Sequence, residues 1–208
     1  MMLSLSCILA FLLGSIPTGL LLGKLKGIDV RSVGSGNIGA TNVKRALGKK
    51  AGAITLVLDT TKGILAVSLI PAAFNYLSDI NQLPVNLHQQ NLLTSLPGLF
   101  VVLGHCYSLF LKFNGGKGVA TSLGVFTILA PIPTLFAAIV FLMVVKVKKY
   151  VALGSLVAAI ATLIAVVMDI GDSYDNALKA TVAAIVVIVI LRHTENIKRL
   201  IRGNELAH

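Results

Sequence analysis

A chain of 208 residues is long enough for one soluble domain, but 56% of it is hydrophobic, only 12% is charged and the mean hydropathy is +0.89. Soluble domains carry about 25% charge, so this composition excludes a water-exposed globule, and its hydrophobicity excludes a disordered chain. The formal charge of +10 sits between apolar runs with no nucleic-acid-binding module around it, and therefore marks membrane topology instead of DNA or RNA contact.

A spanning helix needs roughly 20 mainly apolar residues. The first such run, Leu3–Gly23, has neither a basic n-region nor an A-x-A-like site before Lys24, and reads as a retained span, not a cleaved signal. Further spans are predicted at Ala53–Ala73, Asn91–Leu111, Val151–Met168 and Ala177–Leu191, the last two short. Between Gly118 and Lys146 an apolar stretch is interrupted by Pro131-Ile132-Pro133. Two arms of about 13 residues at about 1.5 Å rise reach only about 20 Å each, so this segment is predicted as a hairpin that crosses with flanking residues or re-enters. Placing the N-terminus outside and the C-terminus in the cytoplasm puts 17 of 18 basic residues on one side, leaving only Lys179 outside, with Asp79, Asp169, Asp172 and Asp175. The expectation is an all-α integral membrane protein with about seven transmembrane helices, the hairpin arms counted as two. Neither an internal repeat nor a linker divides residues 1–208, which read as a single polytopic domain. Cys7 and Cys106 fall near opposite faces on this topology, too far apart for a disulfide, and lack metal-ligand spacing.

Three polar stretches on the cytoplasmic side exceed what a scaffold needs. In Val33–Arg45, Gly34, Gly36 and Gly39 allow tight turns that aim backbone N–H groups at one point. Ser35, Asn37, Thr41 and Asn42 add neutral donors, and Arg45 supplies a cationic fork suited to phosphate. The spacing matches neither the dinucleotide fingerprint nor the P-loop, so neither NAD nor ATP follows. In Gly104–Thr121, Gly115-Gly116-Lys117-Gly118 precedes a helical arm, whose N-terminus favours anions and where Lys117 can act as a point charge. Gly104 and His105 stand at the preceding helix end. In Arg192–Glu205, His193 and Asn196 share one helical face, three residues apart. Plain readings exist beside each: a connecting loop, a tight turn, and a basic tail held by anionic lipid. Within the spans, Asp59 and Lys62 either neutralise one another or leave Lys62 facing an anionic ligand, and Ser155 is a site residue or a packing residue.

Four blocks in this order carry a resemblance: G-S-G-N-I-G-A-T-N-x-x-R from Gly34 to Arg45, D-x-x-K-G from Asp59 to Gly63, G-H followed by G-G-K-G-V-A-T up to Thr121, and H-x-x-N-I-x-R-L-x-x-G-x-E from His193 to Glu205. Together they resemble the bacterial acyl-phosphate:glycerol-3-phosphate acyltransferase family, PlsY, over nearly the whole chain. The resemblance implies a multi-pass enzyme of the bacterial cytoplasmic (inner) membrane, with its active site on the cytoplasmic side. Such an enzyme makes lysophosphatidic acid from acyl phosphate and the sn-1 hydroxyl of glycerol 3-phosphate, the first step of phospholipid synthesis, and does not use acyl-CoA or acyl-carrier protein. No metal or organic cofactor is implied. Membrane lipids are expected around it, and a soluble phosphate acyltransferase that makes acyl phosphate is a candidate docking partner. On this reading Ser35, Arg45, Lys117, His193 and Asn196 are the catalytic candidates. Gly34, Gly36, Asn37, Thr41, Asn42, Lys62, Gly104, His105, Gly115, Gly116, Gly118 and Ser155 are the substrate-binding candidates, with Asp59 and Glu205 structural. His193 is either the general base or, with Asn196, a binder of glycerol phosphate while a substrate phosphate oxygen takes the proton. A transporter for an anionic solute and a lipid-binding scaffold are the alternatives. A transporter would place its site near the midplane between related halves, and a scaffold leaves the glycine loop and the His193–Asn196 pair unexplained.

Overall fold

The computed structural model describes residues 2–80 and 86–207, and every regular element among them is helical. The first apolar run is two helices, α1 (Met2–Ser15) and α2 (Thr18–Leu25). Pro17 has no N–H and cannot continue the ladder, so carbonyls at the end of α1 lose their partners, a heavy cost in hydrocarbon. Distant side chains replace them. Lys62 Nζ donates to Gly14 O at 2.9 Å and to Ile16 O at 3.2 Å, and Ser108 Oγ donates to Ser15 O at 2.5 Å. Asp59 Oδ1 accepts from Thr18 Oγ1 at 2.6 Å and pairs with Lys62 at 2.9 Å. Asp59 and Lys62 are 1% and 4% exposed, and they staple the proline break shut.

Beyond a 3₁₀ turn at Val30–Ser32, α3 (Ala40–Leu47) leads through Gly48 into α4 (Lys49–Ile80). With 32 residues, α4 is about 48 Å long and outruns a hydrocarbon core of about 30 Å, so it extends past the predicted Ala53–Ala73 at both ends. A capping box opens α5 (Leu87–Cys106): Gln89 N donates to Asn86 Oδ1 at 2.8 Å and Asn86 N to Gln89 Oε1 at 3.3 Å. The proline-interrupted stretch forms α6 (Val119–Leu129) and α7 (Pro131–Lys148), arms of 11 and 18 residues instead of two near 13. Both prolines fall in the first turn of α7, where no intrahelical donor is required. α8 (Val151–Val167) is followed by α9 (Asn176–Arg192), whose Leu178 N is capped by Asp175 Oδ1 at 2.9 Å. α10 (Thr194–Ile201) leaves α9 at a bend of 57°.

Taking α1 with α2, four of the described helices are long and apolar enough to cross a membrane, or five if the bent pair α9 and α10 is counted as one span. α6 and α8 are shorter apolar helices. Side chains on the outside are apolar: Leu69, Leu135 and Leu142 are 61%, 62% and 65% exposed, an arrangement that suits lipid and not water. Inside, Val101, Val102, Val125, Val182, Ile185 and Val186 form a closed core. α1 packs on α5, α4 on α6, and α7 on α8, with α9 against α5 and α8. Gly104 belongs to the α1–α5 seam, since a Cβ there would fall on the Phe11 carbonyl; its smallness serves helix contact.

Candidate active site

A cavity of about 680 Å³ lies between the α4–α6 pair and the α7–α8 pair, with walls also from the 34–45 block, from α9 and from the C-terminal segment. The 34–45 block turns at Gly34 and Gly36, whose φ angles of +57° and +69° lie in the left-handed region. Neither glycine lines the cavity. Asn42, expected to offer donors to a ligand, holds this loop: Nδ2 donates to Val30 O and Asn37 O, each at 2.8 Å, and Oδ1 accepts from Ser35 N at 2.9 Å. Asn37 Oδ1 accepts from Gly39 N at 2.9 Å. With Asn42 fixed in this way, Ser35 and Thr41 stand in the cavity wall. Arg45 also lines it, and its Nη2 donates to the carbonyls of Leu206 at 3.3 Å and Ala207 at 3.2 Å.

The glycine loop works differently from the sequence expectation. Gly115 N donates to Cys106 O at 3.1 Å and Gly116 N to His105 O at 2.9 Å. Their N–H groups therefore point back to the end of α5, and neither glycine lines the cavity. Gly116 lies so close over the ring of His105 that a Cβ would meet Nε2. His105 is 4% exposed, lines the cavity beside Asp59, and holds Nδ1 3.6 Å from Asp59 Oδ1. What the loop delivers to the cavity is Lys117 and Gly118, the latter at φ +84°. Val119 and Ala120 follow in the wall; first-turn N–H groups like theirs have no intrahelical acceptor.

From the third block, Asn196 Oδ1 accepts a hydrogen bond from Lys117 Nζ. Asn196 Nδ2 donates to Glu205 Oε1 at 2.7 Å, and Arg199 Nε donates to Glu205 Oε2 at 2.9 Å. Glu205 thus ties the C-terminal segment to α10. His193 is 2% exposed, with Nδ1 2.7 Å from the Val189 carbonyl. A carbonyl only accepts, which assigns the proton to Nδ1 and leaves Nε2 as an acceptor. Burial, reinforced by Lys117 and Arg192 and only partly offset by the Val189 bond, takes His193 down to about 4. Burial first, then Arg199, Arg45 and Arg192, takes Lys117 down to about 8 against the opposing pull of Glu205. Both carboxylates in the lining already have a cation, Lys62 for Asp59 and Arg199 for Glu205. The charges of Arg45, Lys49 and Lys117 are in excess there, so this end attracts anions.

The rest of the cavity is mostly apolar, with Ser122, Thr134, Ser155 and Thr162 among its lining. Leu56 of α4, Leu123 and Phe126 of α6, and Phe141, Leu142 and Val145 of α7 form its walls. Leu56, Leu123 and Leu142 are 44%, 37% and 65% exposed, so this arm opens sideways between the helix pairs. Ser155 sits in this wall with Oγ bonded to Val151 O at 2.9 Å.

A family model described as glycerol-3-phosphate acyltransferase matches residues 4–203. The chain belongs to this family. Among its relatives, the glycerol-3-phosphate acyltransferase of Trichlorobacter lovleyi is 46% identical over 94% of this chain and 92% of that protein. The Bacillus subtilis glycerol-3-phosphate acyltransferase is 43% identical over 99% of this chain and 97% of its own. A solved structure of PlsY (YgiH), an integral membrane glycerol 3-phosphate acyltransferase in its glycerol 3-phosphate form, superposes with a TM-score of 0.83 at 38% identity, covering 99% of this chain and 95% of that one. Its lysophosphatidic acid form gives 0.80.

All three polar blocks of this acyltransferase reach one cavity, but not through every residue expected. Gly34, Gly36, Lys62, Gly104, Gly115 and Gly116 stand outside the lining; a buried lysine with two carbonyls and a carboxylate to serve has no donor left for a ligand. Sequence reasoning missed Thr18, the partner of Asp59, and the apolar wall. Small residues on facing helices, Ala137 and Ala138 in α7 with Ala158 and Ala159 in α8, were the signal for the latter.

Proposed function

We propose that this glycerol-3-phosphate acyltransferase takes its acyl group from acyl phosphate and delivers it to the sn-1 hydroxyl, releasing lysophosphatidic acid and inorganic phosphate. The observation that carries this reading is a single cavity with a cationic end and an apolar arm open to lipid. An acyl phosphate has the same two parts, a dianionic head and a long chain. Arg45 and Lys117 grip phosphate at the polar end, and Ser35 with the first-turn N–H groups of α6 faces the developing oxyanion. The glycerol hydroxyl oxygen bonds to the acyl carbon, the carbon–oxygen bond to phosphate breaks, and phosphate leaves as a stable anion. The protein need not protonate this leaving group, and orientation is its main task.

Ser35, Lys117 and His193 share one cavity, and 17 of 18 basic residues share one side on the topology above. These facts support a multi-pass domain over 1–208 with the N-terminus outside, about seven membrane segments and a cytoplasmic site in the bacterial inner membrane. The same basic face suits a soluble enzyme that hands over acyl phosphate. Purified protein in liposomes, given palmitoyl phosphate and labelled glycerol 3-phosphate, is expected to release lysophosphatidate and phosphate in equal amounts. Product from acyl-CoA but none from acyl phosphate would overturn the donor assignment.

A histidine held near 4 is neutral and weakly basic at neutral pH, which favours a substrate phosphate oxygen as proton acceptor and gives His193 Nε2 the role of a hydrogen-bond acceptor for glycerol. His193→Gln should keep kcat within about tenfold at saturating glycerol 3-phosphate while KM rises. A kcat loss of about 10²–10⁴, the range for a lost general base, would reassign the base to His193. Lys117 is cationic below its depressed value and loses charge as pH climbs through about 8. kcat/KM for glycerol 3-phosphate should therefore fall on the alkaline side from about pH 8, and Lys117→Arg, charged throughout, should flatten that limb. An unchanged alkaline limb in Lys117→Arg would assign it to another group.

A further inference from the structure

Arg192 ends α9 immediately before His193, and its guanidinium reaches across to the glycine loop. Nη2 donates to Gly115 O at 2.9 Å and Nε to Gly116 O at 3.0 Å. Its Cζ stands 5.2 Å from the centroid of the Tyr107 ring. The loop is thereby held on both sides, since the N–H groups of the same two glycines donate to Cys106 O and His105 O at 3.1 and 2.9 Å. Two carbonyls gripped by one edge of a planar fork fix a position and a direction, which a single point charge does not. The half-buried setting strengthens these bonds relative to water.

We propose that Arg192 is a positioning residue that locks the Gly115–Gly118 loop to the end of α9 and so sets Lys117 in register with His193. The residue just before the clamp is Leu191 and the one just after is His193; the residue just after the clamped glycines is Lys117. One side chain thus couples two blocks that both reach the polar end of the cavity. Arg192 is not part of the cavity lining, and its two hydrogen bonds to the loop carry its hold on the position of Lys117. The inference rests on the reading of Lys117 as a phosphate ligand.

The test is a double-mutant cycle on the full chain in liposomes, with steady-state kinetics for glycerol 3-phosphate and thermal unfolding measured on each variant. Arg192→Met is expected to lower kcat/KM at least tenfold in the parent background, because a shift of about 1 Å in a positioned group can cost about 10². In a Lys117→Met background the same change should cost less than threefold, since the group it positions is gone. Methylguanidinium added to Arg192→Met should restore part of the lost rate. Equal losses in both backgrounds would show a general structural role and overturn the proposal. Parent-like kinetics for Arg192→Met overturns the clamp and leaves the phosphate reading of Lys117 standing, whereas parent-like kinetics for Lys117→Met overturns both. If Arg192→Met does not fold, Arg192→Lys, which keeps the charge but not the fork, is expected to show the same background-dependent loss.

Discussion

Lys117→Met is expected to lower kcat/KM for glycerol 3-phosphate by about 10²–10³, the effect of removing one preorganised donor from a developing or bound anion. Lys117 is half-buried at the polar end of the cavity and has a neutral amide, Asn196 Oδ1, as its hydrogen-bond partner. An amide orients the ammonium without cancelling its charge, and the carboxylate next in the chain, Glu205, is paired with Arg199. The positive charge therefore remains available to phosphate. Stability should hardly fall, because burial of an ammonium without a directly paired carboxylate is itself unfavourable. Kinetics with labelled glycerol 3-phosphate in liposomes, alongside the unfolding midpoint, check both halves. A loss under threefold would remove Lys117 from the phosphate site.

Gly116→Ala should be nearly as damaging although it adds only a methyl group. That Cβ would press on His105 Nε2, and the ring, 4% exposed and backed by the Asp59–Lys62 pair, can yield only into the cavity that it lines. Overpacking of this kind costs about 1–3 kcal/mol, and the loop is pushed off its two acceptors on α5. Lys117 moves with it, so an activity loss of about 10² accompanies the lower unfolding midpoint. Gly118→Ala is a useful comparison: its strain comes from φ +84° and from contacts with Cys106 and Val102, not from His105. Adding His105→Ala to Gly116→Ala should recover folding by opening the space. Parent-like activity of Gly116→Ala alone would show that the loop does not stand on His105.

The places where sequence reasoning went astray share a cause. Of the two readings of Lys62, neutralising Asp59 or facing an anionic ligand, the structure bears out the ion pair, and the remaining donors go to the carbonyls freed by Pro17. Pro17 lies 45 residues away in the chain, and no local pattern links the two. Gly115 and Gly116 resemble an anion loop by composition, yet their N–H groups close onto His105 and Cys106. Asn42 lines the cavity as expected, but its amide hydrogens and oxygen are engaged by its own loop. Pro131 and Pro133 divide the apolar stretch evenly in the sequence, whereas the structure begins α7 on them, in the first turn where no intrahelical donor is required. For Lys62, the two glycines and Asn42, a donor's partner, not its type, decided what it does.

Composition and order of residues were enough to determine that this chain lives in lipid, that it is helical, and that most of its polar chemistry falls in three separated blocks, because hydrocarbon admits only backbones bonded internally and apolar runs of about 20 residues suit helices. The motifs were enough to point to the acyltransferase family. Only the tertiary structure decided which of those polar atoms face a common space. Hydrogen-bond partners are chosen across distances that sequence spacing does not encode, and a buried donor with its acceptors already in place is no longer free to hold a substrate.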